Sequence, residues 1–243
     1  MKQENYSNKN SRLKRIAIIP ARGGSKRIPQ KNIKNFCGKP MISYPIRALK
    51  ESDLFDKIHI STNDNKIVNV VNQLNLEVDF YRPNDLSDDY TPLMPVIKYV
   101  VEEYRKRNQT FDEVWVILPC SPLLKAEDLV KASGIFQKLN YSNPLMAVTE
   151  YPVPIEWAFE INKKGFLKPI NKGSFAIRSQ DLTKKYHDAG VFYVYPNEFI
   201  LNCDSEGNDE NIKPYFLSKL DAIDIDYEED WIYAEKLFKL IKR

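Results

Sequence analysis

A doubly wound α/β fold, with a mostly parallel sheet covered by helices on both faces, is predicted by two features of the sequence and qualified by a third. Short apolar, β-branched runs recur along the chain, helix-length stretches separate them, and the alternation stops once, between Glu150 and Asp188. The first run, RIAIIPA at Arg15 to Ala21, ends in turn residues and reads as a buried strand rather than a helix. Lys57 to Ser61, Val78 to Tyr81, Val114 to Leu118 and Leu145 to Thr149 read the same way. Helices are predicted around Ile42 to Lys50, Asn65 to Gln73, Met94 to Arg107 and Ala126 to Leu139. In sheets of this kind ligands bind beyond the carboxyl ends of the strands, so chemistry is expected in the loops after Ala21, Ser61 and Leu118.

Between Glu150 and Asp188, Pro152, Pro154 and Pro169 interrupt any long helix, and the segment is predicted to leave the sheet as an excursion. Its aromatic residues Tyr151, Trp157, Phe159, Phe166 and Phe175 are costly to leave in water. Two readings remain open: the excursion meets a partner surface, or it folds back on its own domain. Strands then resume at Val191 to Tyr195 and Tyr215 to Leu217, and a last helix is predicted from Glu229 to Lys242.

The 243 residues suffice for one sizeable core, and a single domain over 15–243 is expected behind a polar, frayed tail at 1–14. With 43% hydrophobic and 28% charged residues, and no apolar run long enough to span a bilayer, the composition is that of a globular protein rather than a membrane one. The opening MKQENYSNKNSRLKR lacks an apolar signal core, so a cytoplasmic location is expected. The cysteines Cys37, Cys120 and Cys203 are odd in number and lack metal-ligand spacing, so reduced thiols are expected.

Net charge is only +3, but its distribution is uneven. No acidic residue occurs from Asn5 to Lys50, where Arg22, Lys26, Arg27, Lys31 and Lys34 are among many cations. An anionic partner is implied. Near the other end Asp221, Asp224, Asp226, Glu228, Glu229 and Asp230 crowd together. A polyphosphate held with a metal ion needs both kinds of surface. In ARGGSKRIPQKN, Ala21 to Asn32, Gly23 and Gly24 let the backbone approach a ligand while the basic side chains supply charge suited to a triphosphate. The spacing fits neither GxxxxGK[ST] nor GxGxxG with an acidic partner, and by its chemistry alone a solvated basic loop fits as well. Asp224 and Asp226 alternate, so in extended chain both carboxylates face one way and can share a cation; a pair of surface carboxylates has the same pattern.

The run of motifs PARGGSKRIPQKN, ISTND at Ile60 to Asp64, YRPNDLSDD at Tyr81 to Asp89, LPCSPLL at Leu118 to Leu124, RSQDLTKKYHDAG at Arg178 to Gly190 and IDIDYEEDW at Ile223 to Trp231 resembles, in this order, the CMP-sugar synthetases, the cytidylyltransferases of sialic, legionaminic and pseudaminic acids. The resemblance implies the Rossmann-like fold of nucleotide-diphospho-sugar transferases, with CTP and an acidic nine-carbon sugar as substrates, Mg²⁺ as cofactor and pyrophosphate as leaving product. It assigns Ala21, Arg22, Gly23, Gly24, Lys26, Lys31, Asn32, Arg82, Asp89 and Thr91 to the nucleotide, Asp224 and Asp226 to the metal, and Arg22, Lys26 and Asp226 to catalysis. Asn63 departs from the family, which has a Ser-Thr-Asp sequence there. Leu118 and Leu124 replace the Gln and Arg of the sialic acid enzymes, and RSQDLxxxYHDAG is similar to the pseudaminic acid enzymes. Arg178, Gln180, His187 and Asp188 are then expected at the sugar. The family also pairs through the excursion, implying a homodimer.

Within the same chemistry, legionaminic or sialic acid is the alternative substrate. A metal-dependent glycosyltransferase normally carries its aspartate motif after an early or central strand, unlike Asp224 and Asp226 near the C-terminus. A non-catalytic nucleotide-binding module would not need both the basic loop and the aspartate pair. No nucleic-acid partner is expected, since the cations cluster in one loop and a tail without a recognition motif. His187 is assigned no role as a base, because a lone histidine is more often structural.

Overall fold

The computed structural model describes residues 13–203 and 210–241. In chain order it contains β1 (Arg15–Pro20), a short hairpin of β2 (Asn35–Phe36) and β3 (Lys39–Pro40), α1 (Ser43–Ser52), β4 (Lys57–Ser61), α2 (Asn65–Gln73), α3 (Leu93–Lys106), β5 (Glu113–Ile117), α4 (Ala126–Lys138), β6 (Leu145–Glu150), a second hairpin of β7 (Phe159–Ile161) and β8 (Leu167–Pro169), β9 (Tyr186–Pro196), α5 (Asn197–Asn202), β10 (Lys213–Phe216) and α6 (Glu228–Ile241). The tail expected over 1–14 falls outside the described residues except for Leu13 and Lys14. Lys14 is tied down, its amide donating to Asp112 Oδ2 at 2.8 Å.

The main sheet has six strands in the order β10-β6-β9-β5-β1-β4. β1 pairs parallel with β4 and β5, and β6 pairs parallel with β10, whereas β9 runs antiparallel to both of its neighbours. Strand alternation divides the core. Ala17, Ile19, Trp115 and Ile117 pack on one face with Ile46 and Leu49 of α1, Val71 of α2 and Phe136 of α4. Ile16, Ile18, Val114 and Val116 pack on the other with Val100 and Tyr104 of α3 and Ile200 of α5. Each such side chain contributes about 1.5–3 kcal/mol by leaving water. A third cluster seats Trp231, Leu237 and Phe238 of α6 against Phe36, Met41 and Tyr44, together with Ile28, Leu123 and Ile225. That cluster fixes the acidic C-terminal segment beside the basic loop.

The expectation of a strand at Val78 to Tyr81 is not met. β4 is the sheet's edge, and 78–81 runs past it without pairing. Side chains make the attachment instead: Asp79 pairs with Lys57 at 2.6 Å, and Phe80 stacks on His59 with ring centroids 4.5 Å apart. The direction of β9 was also not legible. It follows from where the excursion closes: Glu150 and Tyr186 are cross-strand partners and the Tyr151 amide donates to the Lys185 carbonyl at 3.0 Å, so the chain returns beside the strand it left.

The excursion has local order of its own. Gly165, with φ of 83°, closes the β7-β8 turn, and Asn162 Oδ1 accepts from the amides of Lys164 and Phe166 at 2.9 and 3.1 Å. Trp157 Nε1 donates to the carbonyls of Ser174 and Ile177, and the Phe175 ring lies 5.5 Å from that of Phe159. The segment does not fold back onto the sheet. None of Val153, Ile161, Phe166, Leu167 and Phe175 joins the three core clusters, and Ile161, Phe166 and Phe175 are 73%, 68% and 66% exposed.

Candidate active site

The basic loop leaves the carboxyl end of β1 and closes over a cavity of about 400 Å³ lined by Pro20, Arg22, Ser25, Lys26, Arg27, Ile28, Lys31, Asn32, Asp89 and Asp226. Its course depends on Gly23. A Cβ there would stand 2.3 Å from Oδ2 of Asp64, whose other carboxylate oxygen caps α2 by accepting from the Lys66 amide at 2.7 Å. The Gly23 amide donates to Asn63 Oδ1 at 3.4 Å. A Cβ at Gly24 would meet nothing within 4 Å, leaving that backbone open. Asn32, only 6% exposed, donates from Nδ2 to the Arg22 carbonyl at 3.0 Å and so braces the start of the loop.

Two carboxylates hold the cations in separate groups. Arg22 Nη1 lies 2.8 Å from Asp89 Oδ1 and donates to the Asp88 carbonyl, while Lys26 pairs with Asp89 Oδ2. Lys26 and Arg22 keep the Asp89 carboxyl below its ordinary range. The turn that presents Asp89 is fastened by Asp88, whose Oδ1 accepts from the Thr91 hydroxyl and amide, each at 2.7 Å, and from the Tyr90 amide at 2.9 Å. Across the cleft Asp226 takes Arg27 at 2.9 Å and Lys31 at 3.3 Å, and Lys31 also donates to the Ile225 carbonyl at 2.6 Å. Ala21 is buried at the strand end, its amide donating to the Ser61 carbonyl at 2.9 Å. Arg82 is buried nearby, donating to Ser61 Oγ and to the Ser61 carbonyl at 3.1 and 2.7 Å. Burial, with the charge of Arg22, lowers its guanidinium to about 10, so it stays cationic at neutral pH.

Ile225 is fully buried, which turns the flanking Asp224 and Asp226 outward together, as their spacing predicts. The two face different neighbours. Asp226 meets the basic loop, whereas the Asp224 carboxyl would lie 3.5 Å from a Cβ placed on Gly190 at the start of the sheet-buried part of β9. Burial of its inner side and the like charge of Asp226 raise the Asp224 carboxyl above its ordinary value. Farther along, Asp230 Oδ2 accepts from the amides of Asp226 and Tyr227 at 3.0 and 2.8 Å, and Glu228, Glu229 and Asp230 occupy the first turn of α6, where a helix favours negative charge. Part of the acidic crowding is therefore helix chemistry.

The residues expected at the sugar are divided. His187 and Asp188 lie on β9 close to Asp224: Asp188 Oδ1 accepts from the Gly190 amide at 2.9 Å, its other oxygen accepts from the Tyr193 hydroxyl, and His187 Nδ1 stands 2.8 Å from the Asp188 carbonyl. Arg178 and Gln180 sit on the excursion. Arg178 is exposed and paired with Asp181 at 2.8 Å, and Gln180 lines a second cavity of about 370 Å³ with Glu150, Tyr151 and Lys184. The expectation that all four line one pocket is thus not met within a single chain, because the excursion carries two of them away from the sheet. Tyr151, which lines that second cavity, has its ring 4.7 Å from that of His187.

Sequence reasoning gave no site role to Asp88, Tyr193 or Cys120. Arg27, one of the loop cations suited to a triphosphate, also covers the Tyr227 ring with its guanidinium at 4.9 Å. Cys120 reads as a packed thiol in its strand end. In the structure its Sγ lies 3.7 Å from Asn32 Oδ1, and burial pushes the thiol up to about 12.

A family model described as cytidylyltransferase matches residues 16–189. The chain is 38% identical over 232 residues to the pseudaminic acid cytidylyltransferase of Campylobacter jejuni, covering 94% of this chain and 97% of that protein. It is 30% identical over 227 residues to the CMP-N,N'-diacetyllegionaminic acid synthase of Legionella pneumophila, covering 93% and 96%. The structure of CMP:2-keto-3-deoxy-manno-octonic acid synthetase complexed with CTP superposes with a TM-score of 0.70 over 94% of this chain and 99% of that one, at 14% identity, a likeness of fold.

Proposed function

The chain belongs to the cytidylyltransferase family and is a nucleotidyltransferase, and from that premise we propose that it joins CMP, taken from CTP, to pseudaminic acid with release of pyrophosphate. The sugar's anomeric hydroxyl attacks the α-phosphorus; its proton passes to solvent as the new P–O bond forms, and the bond from the α-phosphorus to the bridging oxygen breaks, so that this oxygen leaves with the pyrophosphate. Arg22 and Lys26, on the loop after β1, neutralise charge gathering on the departing pyrophosphate, and Lys31 and Asn32 orient the triphosphate. Arg82 and the Asp89 to Thr91 turn border the nucleotide. The observation that carries this reading is the cavity in which Arg22, Lys26, Lys31 and Asn32 converge opposite Asp226.

Asp224 and Asp226 fit a magnesium ion. Both are hard oxygen donors facing one way, and a shared cation would offset the burial and the like charge of Asp226 that together raise the Asp224 carboxyl. Among the described residues no cluster of three or more acidic, His or Cys side chains could hold a metal, so phosphate oxygens and water would complete the shell. When bound, Mg²⁺ offsets phosphate charge and makes the attacking hydroxyl more acidic.

Asp188, whose charge is felt at Asp224, and His187 beside Tyr151 are suited to hold the sugar. Arg178 and Gln180 lie on the excursion, so their access to the sugar depends on how two copies pair. Ile161, Phe166 and Leu167, each more than half exposed, support a homodimer formed through this segment. No helix among the described residues is long and apolar enough to cross a membrane, and a reaction that draws on CTP fits the cytoplasm. The test is to incubate the protein with CTP, Mg²⁺ and, separately, pseudaminic, legionaminic, sialic and 3-deoxy-octulosonic acids while following pyrophosphate. Release with pseudaminic acid alone, or fastest with it, is the expected result; release only with another acid overturns the substrate, and release with none overturns the reaction.

A further inference from the structure

Asn32 can meet its surroundings in only one orientation. The Arg22 carbonyl is purely an acceptor and lies 3.0 Å from Nδ2, so the amide nitrogen must face it. Oδ1 then faces Cys120 Sγ at 3.7 Å, and the thiol must be the donor. Cys120 also packs against the apolar cluster that contains Ile28 from the basic loop and Ile225 from between the two aspartates. It follows β5, so a residue from the sheet's interior edge reaches both halves of the cleft. We propose that Cys120 is a positioning residue for CTP: its thiol orients the Asn32 amide, which in turn fixes the Arg22 carbonyl and with it the phosphate-facing start of the loop. The inference rests on reading that loop as the triphosphate site.

Binding of CTP alone, measured by calorimetry with melting temperature recorded in parallel, tests it without reference to the sugar. Cys120→Val keeps much of the volume and loses the donor; Cys120→Ser keeps a donor. The valine variant should bind CTP about three- to tenfold more weakly, while the serine variant stays near wild type and the two melt alike. In an Asn32→Ala background the valine effect should vanish, since the path runs through that amide. If Cys120→Val binds CTP as wild type does, if serine is as weak as valine, or if the loss persists without Asn32, the proposal falls. Should the valine variant not fold, Cys120→Ala carries the same comparison. Wild-type protein that fails to bind CTP would instead overturn the triphosphate reading itself.

Discussion

The cleft after β1 and the excursion at 150–188 are both rich in side chains that a folded protein does not usually leave half-used, but they are finished to different degrees. In the cleft the costly groups already have partners within the chain: Arg22 and Lys26 meet Asp89, Arg27 and Lys31 meet Asp226, and Arg82 is seated on Ser61. In the excursion the costly groups are apolar, and they face outward. Charge can be balanced locally by a few residues brought together, whereas apolar surface of this extent needs another surface to cover it. The cleft therefore reads as a site that one subunit builds, and the excursion as the surface we propose a second subunit covers.

Breaking the cleft should have the largest effect. Asp226→Asn keeps the side chain's shape and removes the charge toward Mg²⁺ and Lys31, so turnover should fall by about 10³-fold. Its ion pairs are partly exposed, at 51% for Arg27 and 35% for Asp226, so melting temperature should move little. Near-normal rates at limiting Mg²⁺ would remove Asp226 from the metal.

A paired experiment sharpens the contrast. Lys26→Ala should impair use of CTP, and Arg178→Ala should raise the sugar's KM by an amount equivalent to about 1.5–3 kcal/mol while leaving CTP nearly unaffected. Steady-state kinetics with each substrate varied in turn checks both. If Arg178→Ala alters CTP and spares the sugar, the excursion does not serve the sugar.

For the excursion itself, Phe166→Glu should weaken the dimer roughly tenfold or more, because a charge would replace apolar surface proposed to be covered. Light scattering across a dilution series reads this directly. A wild-type protein that is monomeric at micromolar concentration would end the comparison, since the exposed apolar face would then have no second copy to meet.

The smallest effect concerns the strongest carboxyl shift among the described residues, which lies outside both regions. Beside β4, His59, 3.8 Å away, and Lys57, at 2.6 Å, together with the Tyr104 hydroxyl, hold the Asp79 carboxyl well below its usual range. A lowered carboxyl stabilises the fold above its unfolded value, near pH 4, and that contribution is lost as pH falls toward the folded value. Burial lowers the His59 imidazole, which acts in the same direction: protonation below its unfolded value, near pH 6.5, favours the unfolded chain. Asp79→Asn should cost about 1–2 kcal/mol at neutral pH and flatten the loss of melting temperature on acidification. An unchanged acid slope would mean that the network carries no such linkage.

What the sequence determined by itself is what can be decided over a few residues. The β-branched runs specified β1, β4, β5 and β6, and the strand's own period of two divides their side chains between the two faces of the core. The glycines and cations of the loop after Ala21, and the alternation of Asp224 and Asp226 about buried Ile225, are local in the same way, though local pattern alone left a solvated loop and a pair of surface carboxylates open. Tertiary structure decided the rest. Val78 to Tyr81 had the composition of a strand but lies at an edge without a pairing partner, and β9 is reversed because the excursion closes on the strand it left. Which cation meets which carboxylate was also undecided: Lys31 and Asp226 are 195 positions apart, and nothing local relates them until α6 packs on the β2-β3 hairpin. The link from Cys120 through Asn32 to Arg22 arises in the same manner, from two segments, the basic loop and the turn after β5, that only the folded core brings within hydrogen-bonding distance.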